Sequence, residues 1–333
     1  MNARLWIVIV NYRTADLAVD SLRALSTQID DMIGGRVVVV DNASGDGSAE
    51  RLAAAVTGEN WDVWAEVKPM DRNGGFAYGN NAGIRAALAS PNPPDYILLL
   101  NPDTIARPGA VKSLVDFMDS HPEAGIAGSR LENAAGGVDC SAHRMPSPLG
   151  ELNGSARLGM ISRLLQRYVV SPPIRNEAHE CDWVSGASMI IRKEVLEEIG
   201  LMDEGYFLYF EEVDFCCRAR AVGWSVWYVP ESRVMHLEGA ATGIRAAAKR
   251  RPMYWYDSRR RFFVKQYGIV GLVAADVLWS VGRLVFLLRR ALRLGIPCQA
   301  NDPKWFMFDL LWGDLRALLC GQSEEPRSAR GRP

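Results

Sequence analysis

Three short apolar runs stop abruptly in polar residues. Leu5–Val10 runs into Asn11-Tyr12, Val37–Val40 into Asp41-Asn42, and Tyr96–Leu100 into Asn101-Pro102-Asp103. Asn and Asp commonly cap helices and form turns. Their recurrence at three strand ends instead favours one shared ligand site, because an open parallel sheet binds ligands beyond the carboxyl ends of its strands. Asp103 matters most. A divalent cation that bridges diphosphate oxygens needs hard oxygen ligands. Asn101 offers only a neutral carbonyl oxygen, which leaves Asp103 as the anionic ligand. Asp41, a carboxylate at a strand end, suits hydrogen bonds from a base or ribose.

Further along, Arg72-Asn73-Gly74-Gly75-Phe76-Ala77-Tyr78-Gly79-Asn80-Asn81 joins backbone-exposing glycines to a helix start, which allows close approach to phosphates. Its glycine spacing fits neither a dinucleotide fingerprint nor a P-loop. Phe207–Asp214 puts Glu211, Glu212 and Asp214 at a helix N-terminus. They can simply compensate the helix dipole, and Asp214 can pair with Arg218 at i+4. Two adjacent glutamates under an aromatic cluster also have their pKa values pushed apart, the setting of a general base. On residue type alone, His236 and Trp183 are more often structural than functional.

Apolar strands alternating with helices position these groups. Strands are expected at Leu5–Val10, Val37–Val40, Val63–Val67, Tyr96–Leu100, Gly125–Gly128, Val184–Arg192 and Ser225–Val229. Helices are expected at Leu17–Leu25, from Ser48 through Val56, and at Phe76–Leu88, Val111–Met118, Glu194–Ile199 and Glu211–Ala221. This is an α/β pattern with a mostly parallel sheet covered on both faces. Between Glu132 and Glu180, Gly, Pro and Ser accumulate, as in a long, partly ordered connection able to shape an acceptor site.

The chain has 333 residues, 48% hydrophobic and 23% charged, with a formal net charge of -1. That balance gives no whole-molecule attraction to nucleic acid. It hides an asymmetry: Arg245–Arg293 holds 12 Lys/Arg against two Asp/Glu, on an otherwise acidic chain. The six cysteines lack zinc-site spacing and read as reduced thiols of a cytoplasmic protein. Met1–Val10 leads straight into a strand, without the pattern of a signal peptide.

Taken together and in order, the motifs resemble the family-2 inverting glycosyltransferases of the GT-A fold, in particular their rhamnosyltransferase-like and galactofuranosyltransferase-like members. The matching stretches are Val8-Ile9-Val10-Asn11-Tyr12, Val40-Asp41-Asn42-Ala43-Ser44, Asn73-Gly74-Gly75-Phe76-Ala77 with Gly79-Asn80-Asn81, and Leu100-Asn101-Pro102-Asp103. Trp183-Val184-Ser185-Gly186-Ala187, Phe210-Glu211-Glu212-Val213-Asp214 with Arg218, and His236 complete the set. The resemblance implies that Asp41 binds the base and that Asn101 and Asp103 stand at the Asp-x-Asp metal motif. His236 then completes a Mg or Mn site, and Glu212 acts as general base with Glu211 in contention. It further implies a nucleotide-sugar site built from Asn11, Tyr12, Asp41, Arg72, Asn73, Gly75, Asn80 and Asn101, with Trp183 and Asp214 facing the acceptor. The donor is expected to be a dTDP- or UDP-sugar, rhamnose first, and the acceptor a glycan or polyprenyl-linked hydroxyl. Asn at 101 removes one charge from the metal motif, and Glu at 212 lengthens the reach of the base. A nucleotidylyltransferase of similar fold would want a basic glycine-rich loop near the N-terminus, which Asn11-Tyr12-Arg13-Thr14 does not supply. A nucleotide-sugar-binding protein without turnover is the rival from another class.

These motifs occupy a catalytic domain over 1–240. A basic, apolar helical region follows over 241–323, then a disordered tail over 324–333. Within Ile269–Leu288 the charged residues Asp276 and Arg283, with Arg290 beyond, recur every seven residues, which argues against a simple membrane span. Trp279, Phe286 and the following arginines suit a helix lying in a membrane interface over 269–293, peripheral at the inner face of the plasma membrane; packing on the catalytic domain is the alternative.

Overall fold

The computed structural model describes residues 4–29, 35–237, 250–292 and 303–320. The expected tail from 324 lies outside these residues. The first half alternates β1 (Leu5–Asn11), α1 (Ala15–Ser26), β2 (Arg36–Asp41), α2 (Ser48–Gly58), β3 (Ala65–Pro69), α3 (Phe76–Leu88) and β4 (Tyr96–Leu100). Then come β5 (Thr104–Ala106), α4 (Ala110–Ser120) and β6 (Ala124–Glu132). Every residue of β1 and β4 is buried. Their side chains alternate between two cores, as the two-residue period of a strand requires. Leu5, Ile7 and Ile9 pack with α1, α2 and α4 on one face. Trp6, Val8 and Val10 pack with α3 on the other.

The region from 132 to 180 is more ordered than its composition predicts. It carries β7 (Val138–Asp139), β8 (Ala142–His143), α5 (Pro148–Ala156), α6 (Gly159–Leu164) and the start of β9 (His179–Cys181). Ser147 caps α5 by accepting from the Gly150 amide, with Pro148 in the first turn. The expected strand over Val184–Arg192 is two strands, β10 (Trp183–Val184), paired with β8, and β11 (Ser188–Arg192). After α7 (Lys193–Ile199) and α8 (Glu211–Ala221), β12 runs from Ser225 to His236, well past the expected end at Val229. The sequence pattern breaks because Pro230 falls where the register against β6 shifts, and strand prolines concentrate at such irregularities. Val63 is exposed and lies outside β3, so the third strand starts two residues later than expected.

The main sheet has the order β3-β2-β1-β4-β11-β6-β12-β5. Strands β3, β2, β1 and β4 are mutually parallel. β11 is antiparallel to both β4 and β6, and β12 is parallel to β6. The carboxyl ends of β1, β2, β4, β6 and β12 therefore share one edge, and the N-terminal end of β11 meets them there.

At the C-terminus, α9 (Met253–Ala291) bends at Gly268, whose φ is 69°, and α10 (Phe306–Cys320) packs on it. Much of the basic segment is spent internally. Arg259 is buried among Glu151, Asp276 and Asp314, at 3.3, 2.9 and 3.2 Å. Arg260 binds Asp314 at 2.6 Å and Asp257 at 2.8 Å. The stripe of Asp276 and Arg283 faces the protein rather than a headgroup layer; the exposed face of this half of α9 is apolar.

Candidate active site

At the shared edge, Asn11 sits opposite Asp41 in the β1–β2 register. Asn11 Nδ2 donates to Asp41 Oδ1 at 2.8 Å, the Ser44 hydroxyl donates to the same oxygen, and the Ser44 amide donates to Oδ2 at 3.1 Å. Asp41 is thus buried and rigidly held at the strand end. Tyr12 projects beside it, exposed, with the Arg13 guanidinium over its ring at 5.1 Å.

The adjoining loop is fixed by a residue outside the expected set. Asn42 Nδ2 donates to Asn73 Oδ1 at 3.0 Å and to the Gly75 carbonyl at 2.9 Å. Asn73 Oδ1 also accepts from the Gly75 amide at 3.0 Å. Gly75 is required twice over. Its φ is 91°, and a Cβ there would stand 2.0 Å from the Phe207 carbonyl oxygen. That carbonyl accepts from the Phe76 amide at 2.8 Å, which docks the start of α3 on the loop entering α8. Asn81 docks the same loop by donating to the Met202 carbonyl and accepting from the Met202 amide. Asn80, buried, donates to the Phe76 carbonyl within α3, and exposed Arg72 stacks on Tyr78 at 4.8 Å.

Asp103 and His236 meet across paired strands. β5 lies antiparallel to the end of β12 with Thr104 opposite His236. His236 Nε2 lies 3.3 Å from Asp103 Oδ1, yet that buried oxygen makes no hydrogen bond of normal geometry. Asn101 Oδ1 is likewise buried without a partner. An unpartnered carboxylate oxygen beside an imidazole, with a second unpartnered oxygen on a residue two positions earlier in the chain, suits a divalent cation, since ligands at right angles on a cation with bonds of about 2.1 Å lie about 3 Å apart. Among the described residues no cluster of three or more His, Cys, Asp or Glu encloses a cation. An open set of this kind leaves positions for phosphate oxygens and water. Glu132, also unforeseen, holds the frame. It is buried, bound by Arg233 at 2.7 Å and near Arg107 and Arg130 at 3.6 Å, and Arg233 above all keeps its carboxyl below the usual range.

Glu211 and Glu212 open α8 after two non-glycine residues with left-handed backbone, Tyr209 (φ 72°) and Phe210 (φ 70°). Such strain persists only where surrounding structure enforces it. Each glutamate has an Oε2 without a hydrogen-bond partner. Burial pushes the Glu212 carboxyl up to about 7. Burial, and next the Glu212 charge, raise Glu211 well above the carboxylate range. A Cβ at Gly186 would lie 3.6 Å from Glu212 Cβ and 3.3 Å from the Phe76 ring. One residue on, the Ala187 carbonyl accepts from the Asn101 amide at 3.0 Å. Short contacts therefore tie the acidic pair to the Asp103–His236 pair, and the Gly75–Phe207 contact closes the circuit back to Asp41.

The two residues expected at the acceptor side make protein contacts. Asp214 is fully buried, with Arg218 at 3.0 Å and Lys265 at 2.8 Å, and Tyr206 donates to it at 3.4 Å. It joins α8 to α9 and does not face a cleft. Trp183 is half-buried, donates to the Arg144 carbonyl at 2.9 Å and stacks on His143 with ring centres 4.1 Å apart.

Comparison with known proteins places the chain in a family. The family described as "Glycosyltransferase like family 2" matches residues 3–256. The chain is 28% identical over 220 residues to the N-acetylglucosaminyl-diphospho-decaprenol L-rhamnosyltransferase of Mycobacterium tuberculosis, covering 62% of this chain and 68% of that one. It is 30% identical over 216 residues to the low-salt glycan biosynthesis hexosyltransferase Agl10 of Haloferax volcanii, covering 64% and 61%. The mannosyltransferase PcManGT from Pyrobaculum calidifontis, solved with GDP-Man and Mn2+, superposes with a TM-score of 0.57 at 13% identity, over 96% of this chain and 88% of that one. The sheet and its flanking helices form the GT-A fold. The chain belongs to glycosyltransferase family 2 and is a glycosyltransferase.

Proposed function

We propose that this enzyme transfers a deoxyhexose, rhamnose in the first instance, from its dTDP-linked donor to a hydroxyl of a lipid-linked or glycan acceptor, with inversion. The observation that carries this reading is the pair of buried Glu211 and half-buried Glu212, set across the Gly186–Ala187 turn from Asn101, Asp103 and His236. The rhamnosyltransferase relative supports the choice of sugar.

The carboxylate of Asp41, fixed by Asn11 and Ser44, accepts hydrogen bonds from the base or ribose, and exposed Tyr12 offers the base an aromatic face. Asp103, His236 and the Asn101 amide oxygen would hold a Mg or Mn ion, which supplies charge neutralisation to the departing diphosphate. Glu212 takes the proton of the acceptor hydroxyl. The hydroxyl oxygen forms its bond to the anomeric carbon from the face opposite the nucleotide, and the bond to the diphosphate oxygen breaks. A base held near 7 matches the demands of proton transfer at neutral pH. Glu211, held protonated by burial and by its neighbour, keeps a second charge away from Glu212. Free thiols at Cys140, Cys181, Cys216 and Cys217 support a reducing, cytoplasmic setting.

A panel of nucleotide sugars with Mn2+ or Mg2+, scored for nucleoside diphosphate release and for the anomeric configuration of the product, tests the reading. Release from dTDP-rhamnose with an inverted product is expected. A retained configuration, or release of pyrophosphate instead, would overturn it.

A further inference from the structure

We propose that the outward face of α9 beyond Gly268, together with that of α10, is a docking surface for an anionic phospholipid bilayer. On α9, Val270, Val273, Val277, Val281, Leu284 and Leu288 are all exposed, Val270 by 82%, and their three-and-four spacing makes one continuous helical face. The opposite face is fixed along its length. Leu272, Ala275, Trp279 and Phe286 are buried, Asp276 binds Arg259, and Gly282 packs on Leu152 and Ser155 of α5. A helix attached in this way lies on the domain surface and does not cross a bilayer.

α10 repeats the arrangement. Phe308, Trp312, Leu315 and Leu319 are exposed at helical spacing, while Leu310 and Asp314 turn inward. Aromatic residues of this kind favour the boundary between headgroups and acyl chains. Charge selects the occupant. The acids of these two segments, Asp276, Asp309 and Asp314, all face inward onto Arg259, Arg250 and Arg260. The exposed charges there are basic, at Arg290, Lys304 and Arg316. Two copies of this face would set like charges against each other, whereas an anionic headgroup layer complements them. The exposed apolar rows of the two helices are contiguous patches of the kind that mark interaction sites.

The test is flotation of the purified full-length protein with phosphatidylcholine vesicles, with and without 30 mole per cent phosphatidylglycerol, a composition of roughly physiological anionic content. Flotation with the anionic vesicles, weakened by salt, is expected. The double variant Val277→Asp/Leu284→Asp should lower the bound fraction about tenfold, and Phe308→Asp/Trp312→Ser by a similar factor. Thermal unfolding and nucleoside diphosphate release should be nearly unchanged, because these side chains are at least half exposed and lie outside the candidate site. Lys304→Gln/Arg316→Gln should weaken binding to anionic vesicles without any risk to folding. A wild-type protein that stays unbound at low salt overturns the proposal. So does equal binding to both vesicle types, or a dimer in light scattering that Val277→Asp/Leu284→Asp splits while no vesicle binding is seen. Vesicle binding needs neither donor nor acceptor, so this result stands or falls apart from the proposed transfer.

Discussion

Nε2 of His236 stands 3.3 Å from Oδ1 of Asp103, because the end of β12 pairs with β5 and sets His236 opposite Thr104. Distant parts of the chain thereby meet in one pair, and Glu132 with its arginines holds the two strands together. Asp103→Ala should abolish stimulation by Mn2+ or Mg2+. Turnover should fall about 100-fold or more, the scale of losing one preorganised stabiliser of developing charge. Metal titration of nucleoside diphosphate release checks this; unchanged metal dependence would move the ligands elsewhere.

Glu212→Gln should lower turnover by about two to four orders of magnitude while donor binding, measured by calorimetry, is kept. In the parent enzyme, activity should rise with pH through the region near 7, since the base works only when ionised and burial has raised its pKa that far. Glu211→Gln replaces a carboxyl that stays protonated with a neutral amide, so the acid limb should stay near 7. An acid limb moved to lower pH by that change would show that Glu211 carries charge while Glu212 titrates.

The same pair sets a stability trend. Both carboxyls have folded-state pKa values above the ordinary 4.5, so the folded chain keeps protons that the unfolded chain has released. The contribution of Glu212 to stability is full below about 4.5 and is lost as pH rises through about 7; that of Glu211 is lost as pH rises through its own raised pKa. Glu212→Gln should therefore raise Tm at pH 8 and leave it nearly unchanged at pH 4. Differential scanning calorimetry at the two pH values decides it.

Gly75→Ala should destabilise the protein by on the order of 3 kcal/mol and weaken donor binding together, because the new Cβ meets the Phe207 carbonyl in a backbone conformation alanine avoids. Denaturant unfolding and nucleotide binding read the two effects. Normal stability would mean that the loop before α8 relaxes freely away from α3.

Arg259→Met leaves Glu151, Asp276 and Asp314 facing one another without their shared cation. Breaking a buried ion cluster from one side costs about 3–5 kcal/mol. Urea unfolding at pH 7 should report this, and protonation of the freed carboxylates at pH 5 should recover part of it. A change below 0.5 kcal/mol, the scale of an ordinary surface substitution, would place the arginine outside any essential network.

The strand ends were legible because buried parallel strands are apolar on both faces, so a polar residue at the end of one stands out. Asn11, Asp41, Asn101 and Asp103 were found that way, and Asp103 and His236 do come together. Asn42 and Asn81 were named only within their motifs, and Glu132 was given no role, since each acts through a partner far away in the chain and amide or carboxylate residues in loops look alike. The burial of Asp214 was hidden for the same reason: its partner Lys265 lies on a helix whose docking no local pattern reveals. Regular spacing on α9 disclosed two unlike faces, but periodicity carries no sign. It could not tell that the charged stripe turned inward.

The Ala187 carbonyl and the Gly186 Cα belong to one tight turn that touches the cation-side strand on one flank and the acidic helix on the other. Lengthening this turn by a single residue would change the gap that the incoming hydroxyl must bridge. Insertions that diversify such an enzyme must therefore accumulate elsewhere.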